Sequence, residues 1–240
     1  PLTLDAPATP FVEAVRTERL PRRVAYAETI GQSPVDKETR EICRAAMKTF
    51  EALGAAVEEI RIDIPDVEDT FLALRSQQFV IDRELQLQSH RDQIKPDIIW
   101  NTEIGLKQSI SDLAAAERSR TALYRQFADL FNQYDLIVTP GANTPAFDVD
   151  LRHPEVINGV KLEHYMAAST LTAAITLSAS PALSLPCGFD QYERPIGLQV
   201  VGRTRGEAEL LAACALYERE SGLAKQIPID PRAGTVPPVD

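Results

Sequence analysis

The chain has 240 residues, 44% hydrophobic and 25% charged, with 35 acidic side chains against 25 basic ones. That balance describes a globular protein long enough for a sizeable core, in one large domain or two small ones, and excludes the disordered, collagenous and disulfide-scaffold classes. A formal charge of −10 repels phosphate backbones and anionic lipid surfaces, so neither nucleic acid nor a membrane is an expected partner.

Three cysteines, Cys43, Cys187 and Cys214, are widely spaced, with no C-x-x-C and no pair at metal-ligand spacing. They read as buried thiols of a reducing cytoplasm, and no metal site is expected. No apolar run approaches the ~20 residues of a membrane helix, and no signal-peptide pattern opens the chain.

Residues 1–20 read as a linker-like start, beginning at Pro1 and carrying three prolines in the first ten positions. Arg22 to Ala27 is a short strand. Ser33-Pro34-Val35-Asp36 predicts a helix start, with a hydroxyl at the N-cap, a proline where no N–H is needed and a carboxylate at the positive end. Ile42, Ala45, Ala46, Phe50 and Leu53 continue at helical spacing to a stop at Gly54. Ala56 to Ile62 is a second strand, so the segment is a βαβ unit with parallel strands and a right-handed crossover.

Val67, Phe71, Leu74, Phe79 and Leu85 predict a helix from Pro65 to about Arg91. Ile94 to Leu106, which contains the single tryptophan Trp100, is ambiguous. A second long helix runs from a Ser109…Asp112 cap to Gln133, with Leu113, Leu123, Phe127, Leu130 and Phe131 inward. Tyr134 to Val138 is a strand ending at Thr139-Pro140-Gly141, and Asn158-Gly159 marks a tight hairpin. Met166 to Ser178 reads as a buried helix, and Pro181 to Pro186 and Pro195 to Val201 as strands joined through residues 187–190. Thr204 and Glu207 predict a capping box before the last helix. Residues 224–240 read as a proline-rich tail, leaving 21–223 as the α/β body.

A direct search for chemistry finds little. G-x-G-x-x-G, Walker and G-x-S-x-G motifs are absent, and no two of the 11 glycines are adjacent, so no cofactor or nucleotide is implied. Cys187 with His164 is a candidate nucleophile pair, set against the reading of Cys187 as a small apolar residue closing a strand; nothing beside it in sequence would lower the thiol pKa. His90 and His153 sit in polar segments. Glu58-Glu59, Asp63 with Asp66, and Asp148 with Asp150 read as solvated faces or turns, the last a weak hint of a cation site. The six lysines all lie in polar surroundings.

From Tyr134 onward the motifs carry more. YDLIVTP (134–140), SPALSLPCGF (180–189), PIGLQVVG (195–202) and GEAELLAACALYE (206–218) together resemble the C-terminal half of amidase signature enzymes. The upstream RVAY (23–26), PVD (34–36) and ALGAAVEE (52–59) fit the same family. The resemblance implies an α/β fold forming part of a mixed β-sheet with helices on both sides. It also implies hydrolysis of a small-molecule amide by a serine nucleophile, a second serine and a lysine base that must be desolvated to be neutral. The glycine- and serine-rich stretch that supplies those serines is not in this sequence, so no catalytic residue is assigned.

By the same resemblance, Thr139, Pro140, Gly141, Ile175, Thr176 and Ser178 border the acyl pocket, against the alternative that both segments are packing elements near the cleft. Thr176, Ala179 and Ser180 stand where family members often place Asn and Gly. The expectation is the C-terminal part of a longer amidase, inert alone and paired with a complementary N-terminal half or with itself. The alternatives are a non-catalytic module binding a small ligand or partner, and a Cys187-dependent hydrolase.

Overall fold

A computed structural model describes residues 6–223. The tail at 224–240 and the first five residues of the linker-like start lie outside the described residues. A short helix, α1 (Phe11–Ala14), packs near the last helix and buries Ala14. Strand β1 (Arg23–Tyr26), helix α2 (Lys37–Ala52) and strand β2 (Ala56–Glu59) form the βαβ unit, and β1 pairs parallel with β2. Strand β3 (Leu136–Pro140) joins the other side of β1 in parallel. Strands β6 (Ala182–Phe189) and β7 (Pro195–Val201) form an antiparallel hairpin whose β7 pairs with β3. The sheet order is β2-β1-β3-β7-β6, and β4 (Val156–Ile157) with β5 (Val160–Lys161) makes a separate small hairpin.

Period-two alternation along the strands divides the core between the two faces. Val24, Tyr26, Val138, Leu198 and Val200 meet Met47 and Phe50 of α2 and Leu210 and Tyr217 of α7 (Glu207–Ser221). Ala25, Ile137 and Val201 point the other way, toward α3 (Val67–His90), α5 (Ile110–Leu130) and α6 (Thr170–Leu177). A mixed sheet flanked by helices on both sides is therefore present. The ambiguous stretch after residue 94 is helix α4 (Pro96–Lys107), folded back on α3. The contact is close because residue 105 is glycine: a Cβ there would collide with the Ser76 carbonyl oxygen.

Three local expectations change. The N-cap of α2 is Asp36, whose carboxylate accepts the Thr39 N–H at 2.9 Å; Ser33 is instead buried and bonded to Asn143. Helix α7 starts at Gly206 without a side-chain cap, because the chain enters through a turn with Arg205 at φ 63° and the Gly206 N–H bonded to Arg203. Strand β2 stops at Glu59, and Ile62 makes only an isolated bridge to Ile30. By contrast, the Ser109–Asp112 capping box on α5 is present with both reciprocal bonds.

Strand β6 continues through Cys187 to Phe189, past the predicted end at Pro186. Its hairpin closes on Asp190, whose carboxylate accepts the N–H groups of Tyr192 and Arg194 and the Arg194 guanidinium. Burial pushes the Asp190 carboxyl up, but the hydrogen bonds from Arg194 and Tyr192 outweigh it and hold the group below the usual carboxylate range. The stabilisation is therefore full above the unfolded aspartate value of about 3.9 and is lost as pH falls through the depressed folded value. Asp190→Asn is expected to lower the Tm most above about pH 5, with the gap to the parent protein closing below about pH 4; thermal melts across that range check it. Ala179 is exposed in the left-handed region at φ 53°. That conformation costs an L-residue about 1–2 kcal/mol, partly offset by the added unfolded-state freedom of glycine. Ala179→Gly is expected to stabilise by about 0.5–1 kcal/mol, read as a Tm rise of about 1–4 °C.

Candidate functional site

The parallel strands β1 and β3 end on the same side of the sheet, where open α/β sheets hold ligands beyond the carboxyl ends of their strands. Strand β3 delivers Thr139, Pro140 and Gly141 there. Thr139 is fully buried, its hydroxyl 3.2 Å from the donating Gln199 amide, and Gly141 donates its N–H to the Gly197 carbonyl at 2.7 Å. A Cβ on residue 141 would lie 2.9 Å from that carbonyl oxygen, so glycine lets the chain leave the sheet against its neighbour.

Two residues later Asn143 is buried and donates its amide to Ser33 Oγ (2.6 Å) and the Pro34 carbonyl (2.7 Å); its own carbonyl accepts the Asp36 N–H at 2.7 Å. The loop after β3 is thereby tied to the start of α2. Arg194, held by Asp190, donates to the Ala146 carbonyl and pins the loop again.

Beside this junction a cleft of about 400 Å³ is lined by Ile30, Ser33, Asp66, Glu68 and Thr170. Glu68 accepts from His164 Nε2 at 3.2 Å. The imidazole lies 5.2 Å from the Trp100 ring, which is 5.7 Å from Tyr165. The Tyr165 hydroxyl accepts the Asn101 amide at 2.7 Å, and Asn101 accepts from Arg75. Behind Glu68, which itself lines the cleft, this wall brings aromatic and hydrogen-bonding side chains from α3, α4 and the 3-10 turn Tyr165–Ser169 to one place. The cleft itself, with Ser33, Asp66 and Glu68 in its lining beside Ile30, can hold a small polar molecule with an apolar portion. Among the described residues no hydroxyl or thiol is bonded to His164, so the arrangement holds no activated nucleophile.

The six pocket residues expected from the sequence do not come together. Ile175 is buried in the core, Thr176 is exposed and bonds back to Thr172, and Ser178 is buried with its hydroxyl donating to the Ile175 carbonyl. Strand β6 follows them and its Ala182 is level with Ile137 through Val201. Gly141 is thus roughly 13 Å further along the sheet, at about 3.3 Å per residue. Thr176 and Ser178 border shallow grooves beside Tyr124 of α5. A wider cleft of about 650 Å³ at that end is lined by Arg19, Arg22, Arg203 and Arg205 together with Asp135, which accepts the N–H groups of Arg22 and Arg23, and Glu209, which is paired with Arg19. Cys187 and His164 are not partners: the thiol meets Cys43 and the imidazole meets Glu68. Sequence reasoning missed Glu68, Trp100, Asn101 and Tyr165; the single tryptophan in an unassigned segment was the one available signal.

Among similar proteins, an acylamidase of Rhodococcus erythropolis is 25% identical over 236 residues, covering 96% of this chain and 49% of its own length. A glutamyl-tRNA(Gln) amidotransferase subunit of Thermosynechococcus vestitus is 27% identical over 253 residues, covering 94% and 51%. In fold, a bacterial aryl acylamidase of the amidase signature family superposes with a TM-score of 0.78 at 22% identity, over 90% of this chain and 46% of that one. The chain thus spans about half the length of the relatives it matches. The family pattern described as Amidase matches residues 2–211. With that match running from before β1 into α7, the chain belongs to the amidase signature family.

Proposed function

We propose that this chain is the scaffold- and pocket-forming C-terminal part of an amide hydrolase acting on a small-molecule amide, and that it is inactive alone. The observation that carries the reading is a family fold matched over nearly the whole chain but over only about half of each relative, in a sequence without a Ser-Ser-Lys centre. An acylamidase and an aryl acylamidase among the similar proteins support an acyl-amide substrate.

The exposed features support a complementary N-terminal half as partner. Strand β6 is eight residues long and uncharged, and among the described residues it pairs only with β7, leaving one row of its backbone groups without a strand partner there. Such an edge templates the addition of further strands. Ile81 and Leu85, one helical turn apart on α3, are 68% and 78% exposed, and Ile110 at the start of α5 is 88% exposed. In this reading the cleft lined by Ser33, Asp66 and Glu68 receives the acyl portion of the substrate, and Asn143 at the end of the loop after β3 holds the Ser33-Pro34 side of it in place.

Assayed against aryl and aliphatic amides, the isolated chain is expected to give no turnover. Co-expressed with the complementary half of a family acylamidase, it is expected to co-purify and hydrolyse those amides. In that assembly Glu68→Ala, which removes a side chain lining the cleft, is expected to raise KM about tenfold, the loss of about 1.4 kcal/mol of binding, with a smaller change in kcat. Hydrolysis by the isolated chain, or failure of the halves to associate, overturns the proposal.

A further inference from the structure

Of the three thiols, two are neighbours. Cys43 on α2 and Cys187 on β6 are 144 positions apart in sequence, yet their sulfurs lie 3.8 Å from each other. The local cause is a β-bulge. Pro186 pairs with Gly197 and Gly188 with Ile196, so Cys187 is the extra residue with no opposite number, and a bulge re-aims the side chain it carries. The bulge lies tight against α2: a Cβ on Gly188 would fall 2.9 Å from Ile42 Cγ2. Cys43 is fully buried, whereas Cys187 is half-buried on the edge strand. Cys214 is buried separately on α7.

We propose that Cys43 and Cys187 form an oxidation site, which a hydroperoxide converts into a disulfide joining helix α2 to strand β6. Cys187, the more accessible thiol, reacts first. Its thiolate attacks one peroxide oxygen, the O–O bond breaks, and Cys187 becomes a sulfenic acid while hydroxide leaves and is protonated to water. The Cys43 sulfur then attacks the Cys187 sulfur. The S–S bond forms, the S–O bond breaks, and the Cys43 proton leaves with the hydroxyl as a second water. Two thiols lose two electrons and one hydrogen peroxide becomes two waters.

Burial and the hydrogen bond with Cys187 push the Cys43 thiol well above its ordinary range, the hydrogen bond contributing most. Cys43 therefore serves as the resolving thiol, not the first to react. Closing the sulfurs to the ~2.05 Å of a disulfide requires movement about the side-chain bonds of the two cysteines. The link would clamp the helix whose first turn holds the loop after β3, through the Asp36 N–H on the Asn143 carbonyl.

The test is hydrogen peroxide treatment of the reduced 240-residue protein, followed by intact mass, thiol titration under denaturing conditions and peptide mapping. The expected result is a mass loss of about 2 Da, two fewer titratable thiols, a Cys43–Cys187 cross-linked peptide with Cys214 still reduced, and full reversal by dithiothreitol. The oxidised protein is expected to melt several degrees higher, since the bridge closes a long loop. Cys214→Ser should leave the mass change intact. Cys187→Ala and, separately, Cys43→Ala should abolish it. Addition of oxygen atoms at Cys187 with Cys43 left free, or disulfides only between molecules, would overturn the proposal.

Discussion

Strand β3 is buried at every position from Leu136 to Pro140 and is hydrogen-bonded on one side to parallel β1 and on the other to antiparallel β7. The two halves of the described structure meet at this strand. Among the described residues the βαβ unit has no other strand contact with the rest, and the β6–β7 hairpin reaches the parallel strands only through it. Because β3 faces helices on both sides, its side chains Leu136 and Val138 complete one core and Ile137 the other. The loop that leaves it inherits a fixed origin.

That origin matters for the candidate site. Thr139 and Gly141 are held by the β7 residues Gln199 and Gly197, and Asn143 is held by the residues leading into α2. Three elements far apart in sequence thus converge on one short loop. A buried amide satisfied by Ser33 and Pro34 specifies one loop path, because any other would leave polar groups unpaired away from water. The cleft beside it is correspondingly bounded by Ser33 and Pro34 on one side and by the start of α3 on the other.

Features set by neighbours in sequence were legible from the residues alone. The Ser109–Asp112 box needs only a hydroxyl and a carboxylate three positions apart, and the Asn158-Gly159 turn needs only two residues that tolerate positive φ. Ser33 looks equally like a cap, but Asn143, 110 positions away, takes its hydroxyl, and no local pattern reveals that. The extra length of β6 was hidden for the same reason: Asp190, not Cys187 or Gly188, makes the turn, and its partner Arg194 reads as an ordinary surface charge. The candidate wall was least legible, since Glu68, Trp100 and Tyr165 come from three segments and acquire meaning only when α4 folds back on α3.

The contact between Gly105 and the Ser76 carbonyl also bears on how the chain finds its fold. The α3–α4 hairpin is one continuous stretch of sequence, so closing it costs little loop entropy, and the glycine allows the two backbones to meet without a side chain between them. Strand β1 finds β2 within one βαβ segment, but its pairing with β3 spans the whole helical region. The βαβ unit and the helical hairpin thus rest on contacts of short range in sequence, whereas the pairing of β1 with β3 carries the larger loop-closure cost. The wall carrying Trp100 and Asn101 is completed only by Tyr165, which follows β3 in the chain.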